Sequence, residues 1–277
     1  MHILDADLLR RPVRVLVVGC GGTGSVIAGG LPYLNQAMLV AGHPGGLQVT
    51  LMDADTISTA NTTRQPFCQA EIGLAKAAVM VSRLNLFWGL SWTAVTEELD
   101  PQSETANFDL WIGCVDTRAA RKVIQDHVQG WRSHAAYWLD IGNSADSGQF
   151  VLGQPWNGRN RRSAVRLRTA PEIFPEIVEA SFDTDGAPSC SALEALEHQE
   201  PFVNQTLAHH ALGLLARLFR YGRIEHHGAF VSLAENRVQP LPINPAIWRK
   251  MRRRGRRFLS EAAAEASRGT GGSACHY

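Results

Sequence analysis

Residues 13–25, VRVLVVGCGGTGS, decide how this chain folds. Val13, Val15, Leu16, Val17 and Val18 form an apolar, β-branched run that stops at a cluster of glycines. Such a run reads as a strand buried on both faces in the middle of a parallel sheet. Gly19, Gly21, Gly22 and Gly24 let the backbone turn sharply and approach a ligand with no Cβ in the way. Thr23 and Ser25 are candidate caps for a helix expected over roughly residues 24–34, its free N–H groups facing an anion. A nucleotide phosphate is the first expectation, and the loop alone serves NAD oxidoreductases as well as ATP enzymes.

The bulk properties set the frame around this loop. The chain has 277 residues, 45% hydrophobic and 19% charged, a composition typical of a soluble globular protein able to bury a core. Its net charge of +1 makes it no polyelectrolyte, so nucleic acid is not an expected partner of the molecule as a whole. Cysteines stand at 20, 68, 114, 190 and 275, an odd number with no Cys-x-x-Cys pair, so neither a disulfide framework nor a zinc site is expected. The opening MHILDADLLRR carries acids and lacks an apolar run, and nowhere do about twenty apolar residues follow one another. The expectation is a cytoplasmic protein with no membrane partner.

A second strand, 48–52, delivers Asp53 at its carboxyl end, where a carboxylate beside the first glycine loop accepts hydrogen bonds from ribose. The loop and Asp53 are more than thirty residues apart, against about twenty in a standard fingerprint, and the excess is assigned to the loop AGHPGG at 41–46. The run DADTISTANTTRQPF, 53–67, then departs from a dinucleotide site. Asp55, Asn61, Arg64 and Gln65 make it polar where an NAD enzyme has no use for such groups, whereas a triphosphate does. Arg64 offers a planar fork of donors to phosphate oxygens. Lys76, on a helix expected over 70–86, offers a compact charge for a transferring phosphoryl group. A strand at 109–115 ends in Asp116, a hard oxygen ligand suited to magnesium, or else a cap for the helix beginning near 117.

In order and character, GCGGTGS, DADTISTANTTRQ, Lys76 and CVD at 114–116 resemble the adenylating domain of the ThiF/MoeB group and of the ubiquitin-activating enzymes, over roughly residues 13–220. PSCSALEALEHQEPFVNQTLAHHALGLL, 188–215, is similar more narrowly to the ThiF-type proteins of the PRTRC cassette. The resemblance implies a doubly wound, Rossmann-like and mainly parallel sheet with a small antiparallel extension. It implies that Gly19, Gly21, Gly22 and Gly24 hold the ATP phosphates and Asp53 the ribose. Asp55, Asn61, Arg64, Gln65 and Lys76 complete the nucleotide contacts, and Asp116 binds Mg2+. The implied chemistry is attack by the C-terminal carboxylate of a small ubiquitin-like, β-grasp protein on the α-phosphate, in a homodimeric enzyme.

The resemblance places a crossover loop at 155–190 and an adenylation domain over 1–240. Cys190 aligns with a cysteine that receives the acyl group in some relatives; the plain alternative is a small buried residue at a loop-to-helix junction. The paired zinc cysteines of the group are missing, so a zinc-free form is expected. Arg10 and Arg11 are candidates to reach a neighbouring subunit's phosphate site. His209 and His210, on a helix expected over 202–219, lack ligand neighbours and read as solvated or packed. The segment 241–277 reads as a basic helix and tail, with seven basic residues in WRKMRRRGRR, 248–257, making either a solvated face or a dock for an acidic surface or nucleic acid. Two other functions stay open: an NAD-dependent oxidoreductase, and a nucleotide-binding adaptor without turnover.

Overall fold

The computed structural model describes residues 1–163, 165–183 and 200–269. In chain order the backbone forms β1 (His2–Ile3), β2 (Val13–Val18), α1 (Gly22–Val40), β3 (Leu47–Met52), α2 (Lys76–Trp88), β4 (Thr93–Val95), β5 (Leu110–Gly113) and α3 (Arg118–Gln129). This alternation of strand and helix is what a parallel sheet requires. A hairpin of β6 (Tyr137–Asn143) and β7 (Ser147–Gly153) follows, then α4 (Ala170–Ile173), α5 (Val203–Tyr221), β8 (Arg223–Ile224), β9 (His226–Ser232), β10 (Arg237–Pro242) and α6 (Pro245–Gly269).

The main sheet has eight strands in the order β10-β9-β7-β6-β5-β2-β3-β4. Pairing is parallel from β4 through β6 and antiparallel from β6 to β10, so the doubly wound sheet and its antiparallel extension are both present. β1 and β8 form a separate antiparallel pair. From β2 the chain goes to β3 and β4 on one side and returns to β5 and β6 on the other. That reversal opens a crevice at the carboxyl ends of β2 and β5.

Three local expectations change. The helix after the glycine loop runs Gly22–Val40 rather than ending near 34, so the extra residues before Asp53 are shared between added helical turns and the loop expected at 41–46. Gly30 and Pro32 do not break α1, because its packing on α5 outweighs propensity: a Cβ on Gly30 would lie 2.2 Å from Leu212 Cδ1. The helix expected from 70 begins at Lys76, after a 3-10 turn at Gln69–Glu71, so Lys76 stands at a helix head. The strand expected over 109–115 contracts to Leu110–Gly113, leaving Asp109 before it and Cys114 to Asp116 as loop beyond it.

The core covers both faces of the sheet. Val13, Val15 and Val17 pack with α1, α2 and α5, while Leu16 and Val18 pack with Trp111, Ile124 and Trp138 under α3. At the amino end of the sheet Asp109 is fully buried, and Arg11 donates to both its oxygens at 2.7 Å. The Arg14 backbone N–H and Arg159 Nη1 complete its shell at 3.0 and 3.3 Å. Arg159 and Arg11 also pair with Asp7, and Arg159 with Asp5. Arg11 is therefore engaged inside its own subunit, at the far end of the sheet from the glycine loop, while Arg10 is exposed. No helix among the described residues is long and apolar enough to cross a membrane.

Candidate nucleotide site

The end of β2 and the head of α1 build a cradle. Gly19 has φ +94°, and a Cβ there would sit 2.7 Å from Cys114 O, so only glycine lets the loop lie against the 114–116 stretch. A Cβ on Gly24 would meet Gly19 O at 1.9 Å, so the second close approach seats α1 on its own entry loop. Gly21 is the N-cap and has open space where a side chain would point. Neither Thr23 nor Ser25 caps the helix. Thr23 donates its hydroxyl to Asn204 Oδ1 at 2.8 Å and Ser25 donates to Gly22 O at 3.3 Å. The head of α1 is left without a side-chain cap, the arrangement in which backbone N–H groups and the helix dipole favour an anion.

Asp53, at the carboxyl end of β3, accepts from the Cys20 N–H at 2.5 Å and the Asp55 N–H at 2.8 Å. Burial nevertheless holds its carboxyl above the ordinary range, against those two hydrogen bonds and the Lys76 charge. The residue expected to hold a ribose thus also fixes the glycine loop. Lys76 Nζ is 2.7 Å from Asp55 Oδ2, with the lysine side chain 7% exposed and the aspartate 70%. The Lys76 N–H donates to Asp55 O and Thr56 bridges to Ala75, so the start of α2 is tied to the strand end beside the cradle.

Other expected residues divide. Asn61 accepts from the Ser58 N–H through Oδ1, capping the 3-10 turn Thr59–Thr63. Arg64 and Gln65 line a groove of about 920 Å³ between α1 and α5, with Tyr33, Gln205 and Leu212. Arg64 Nε and Gln65 Oε1 are buried there with no hydrogen-bond partner among the described residues. Among the described residues no hydrogen bond joins either of them to Asp53, Asp55 or Lys76. His209 is exposed on α5 at the same groove, its Nδ1 2.7 Å from Gln205 O.

Asp116 is exposed at the loop between β5 and α3. It does not cap α3; Thr117 does, accepting from the Ala120 N–H at 3.1 Å. Asp183 arrives from the crossover segment and accepts from the Arg118 and Ala119 N–H groups at 2.9 and 3.0 Å. Arg121, buried on α3, donates to Asp140 Oδ1 at 2.8 Å, to Val115 O at 3.3 Å and to Ile177 O at 3.3 Å. The Asp140 carboxyl is pushed up by burial despite the Arg121 charge. These residues escaped the sequence reading, although an aspartate inside the apolar strand YWLDIG, 137–142, is itself a signal of a buried ionic partner. Cys20 and Cys114 are both pushed well above the usual thiol range by burial, which makes them poor nucleophiles. Cys190 lies outside the described residues.

Among the described residues no group of three or more His, Cys, Asp and Glu side chains could hold a metal ion. Asp116, the residue expected to bind magnesium, is a single exposed carboxylate, so an ion there would depend on waters and on oxygens of a bound phosphate for its other ligands.

A doubly wound sheet with an uncapped helix head and a carboxylate beside it at the switch point defines a Rossmann-like α/β protein. Its family follows from the sequence match: the ThiF family model covers residues 6–230, and the chain belongs to the ThiF family. No curated protein matches it. Among solved structures, E. coli MccB with ATP superposes with a TM-score of 0.56 at 17% identity, covering 86% of this chain and 65% of MccB. PaaA superposes with a TM-score of 0.56 at 14% identity, covering 83% of this chain and 64% of PaaA. The chain thus spans slightly under two thirds of either protein, and the likeness is one of fold.

Proposed function

We propose that the chain catalyses ATP- and Mg2+-dependent adenylation of the C-terminal glycine of a small ubiquitin-like or sulfur-carrier-like protein. The observation that carries this reading is the uncapped head of α1 standing beside Asp53 and the Lys76–Asp55 pair. ATP phosphates take the free N–H groups over Gly21, and the ribose takes the remaining lone pairs of Asp53. Lys76, buried and paired with only one exposed carboxylate, is preformed to receive a phosphate oxygen in place of Asp55. Arg64 and Gln65 contribute from the groove side, where each has an unpartnered atom. Asp116 would hold magnesium, which would neutralise charge on the phosphates. The substrate carboxylate forms a bond to the α-phosphorus, the bond to the β-phosphate oxygen breaks, and pyrophosphate leaves with that electron pair. No general base is needed, because the attacking group is already an anion, and catalysis is positioning with charge neutralisation.

A second copy of the chain over the groove between α1 and α5 completes the proposal, since it would cover the exposed Tyr33 on the groove wall. Residues 188–215 support a place with the PRTRC-type members on sequence alone, and Cys190 is the acceptor if an acyl transfer follows. The test is ATP–pyrophosphate exchange with a β-grasp protein ending in glycine, in the wild type and in Lys76→Ala and Arg64→Ala. Exchange that needs the small protein and collapses in both variants is the expected result. ATP binding without exchange would mark an adaptor, and NAD binding without ATP binding would overturn the reading.

A further inference from the structure

α6 carries a charge pattern that the nucleotide site does not use. Its inward seam is Trp248 and Gly255, buried, with Met251 and Leu259, half-buried, one side of a helix at spacings of three and four. Trp248 packs edge-on against His227 at 5.0 Å and donates its indole N–H to Pro242 O. A Cβ on Gly255 would lie 2.2 Å from Glu176 Oε2 and 3.0 Å from Pro175 Cδ. The glycine inside RRRGRR is therefore the point at which the helix touches the crossover segment.

The residues of 249–256 off that seam are all cationic. Arg249, Lys250, Arg252, Arg253, Arg254 and Arg256 are exposed, and none forms a salt bridge among the described residues. The remainder of the chain leans the other way: without the seven basic residues of 249–257 it holds 20 basic against 26 acidic side chains. The cationic face is also placed with respect to the site. α6 packs on α4 and on Pro175–Val178, and that same segment is held by Arg121 at Ile177 O and continues to Asp183 at the head of α3, beside Asp116.

We propose that this face of α6 docks an acidic surface of the small protein whose C-terminus is activated, an inference that rests on the adenylation reading above. Nine helical residues span roughly 13 Å, the width of one face of a small domain. The rest of the chain carries a net acidic excess that disfavours a long polyanion spreading over it, so charge complementarity favours a compact acidic protein that touches the helix alone. Docking there sets the partner next to the crossover segment while its tail runs on toward Asp116.

The experiment is fluorescence anisotropy at 150 mM NaCl with the full chain and a labelled β-grasp protein ending in Gly-Gly. Alongside it run the same protein with exposed Asp and Glu changed to Asn and Gln, and a labelled 20-base-pair DNA. Binding of the acidic protein should weaken at least about tenfold in R252E/R253E/R254E, and similarly when the carboxylates are removed from the partner. The variant should keep the wild-type Tm and ATP affinity. Unchanged affinity in the variant, no binding of the protein, or tighter binding of the DNA than of the protein would each overturn the proposal. Because binding is read without turnover, binding lost in the charge variant but no exchange in any protein would sink adenylation and leave the dock. Exchange that is indifferent to charge reversal would do the opposite.

Discussion

At the amino end of the parallel sheet, Asp109 is enclosed and both its oxygens are met by Arg11, Arg14 and Arg159, with Arg11 also tied to Asp7 and Arg159 to Asp5 and Asp7. At the carboxyl end, Lys76 has one exposed carboxylate, Arg64 Nε and Gln65 Oε1 have no partner, and the head of α1 lacks a side-chain cap. Both ends hold charged side chains removed from solvent, yet only one is internally satisfied. Buried polar groups without partners are costly, so the carboxyl end carries a penalty that the amino end does not.

The contrast breaks first, if it breaks, on stability. Asp109→Ala leaves two guanidinium groups without their buried counter-charge and should cost on the order of 3–5 kcal/mol in urea unfolding. Lys76→Ala should leave stability within about 1 kcal/mol of wild type, since its partner is exposed. Equal losses would erase the distinction between the two ends. In pyrophosphate exchange the ranking reverses: Lys76→Ala should lower the rate on the order of 10²–10³-fold, while Asp55→Ala should keep most of it.

A subtler separation is the sign of the pH response. Burial opposes ionisation of Asp109, but the Arg11 hydrogen bonds and the Arg14 N–H prevail and hold its carboxyl below the usual range. Folded Asp109 therefore binds fewer protons than unfolded, and its contribution is present at neutral pH and lost as pH falls below about 4. Asp53 is raised by burial, so folded Asp53 binds more protons and the fold gains from its protonation as pH falls. Urea midpoints between pH 3 and 7 should show a shallower acid loss in Asp109→Asn and a steeper one in Asp53→Asn. The smallest effect is expected at Gly21, where a methyl group meets open space: Gly21→Ala should change stability by less than about 0.5 kcal/mol while weakening ATP binding. Calorimetry on that variant locates the phosphate side of the crevice.

The cradle was legible because local rules write it. A β-branched run, glycines and a carboxylate at the next strand end need only short-range chemistry, and the structure assembles them at the switch point. The length of α1 was not, since Gly29, Gly30 and Pro32 argue for a short helix until the packing of Leu212 on Gly30 is known. Arg11 read as a free arm for the same reason. Its partner Asp109 is 98 residues away, and no local pattern announces the pair. Arg121, Asp140 and Asp183 tie three separate segments around the 114–117 loop, a kind of contact visible only in three dimensions.

The hydrogen bond from Thr23 to Asn204 joins residues 181 positions apart. It bears on the order in which the molecule can mature. A chain still emerging from the ribosome near residue 200 already carries the glycine loop and the parallel strands, yet α5 has not formed to close against the first turn of α1. Long-range closures of this kind are slow compared with local ones. Closure of α5 against the glycine loop therefore follows the folding of the strands and helices that carry the loop, and the first turn of α1 reaches its final surroundings late.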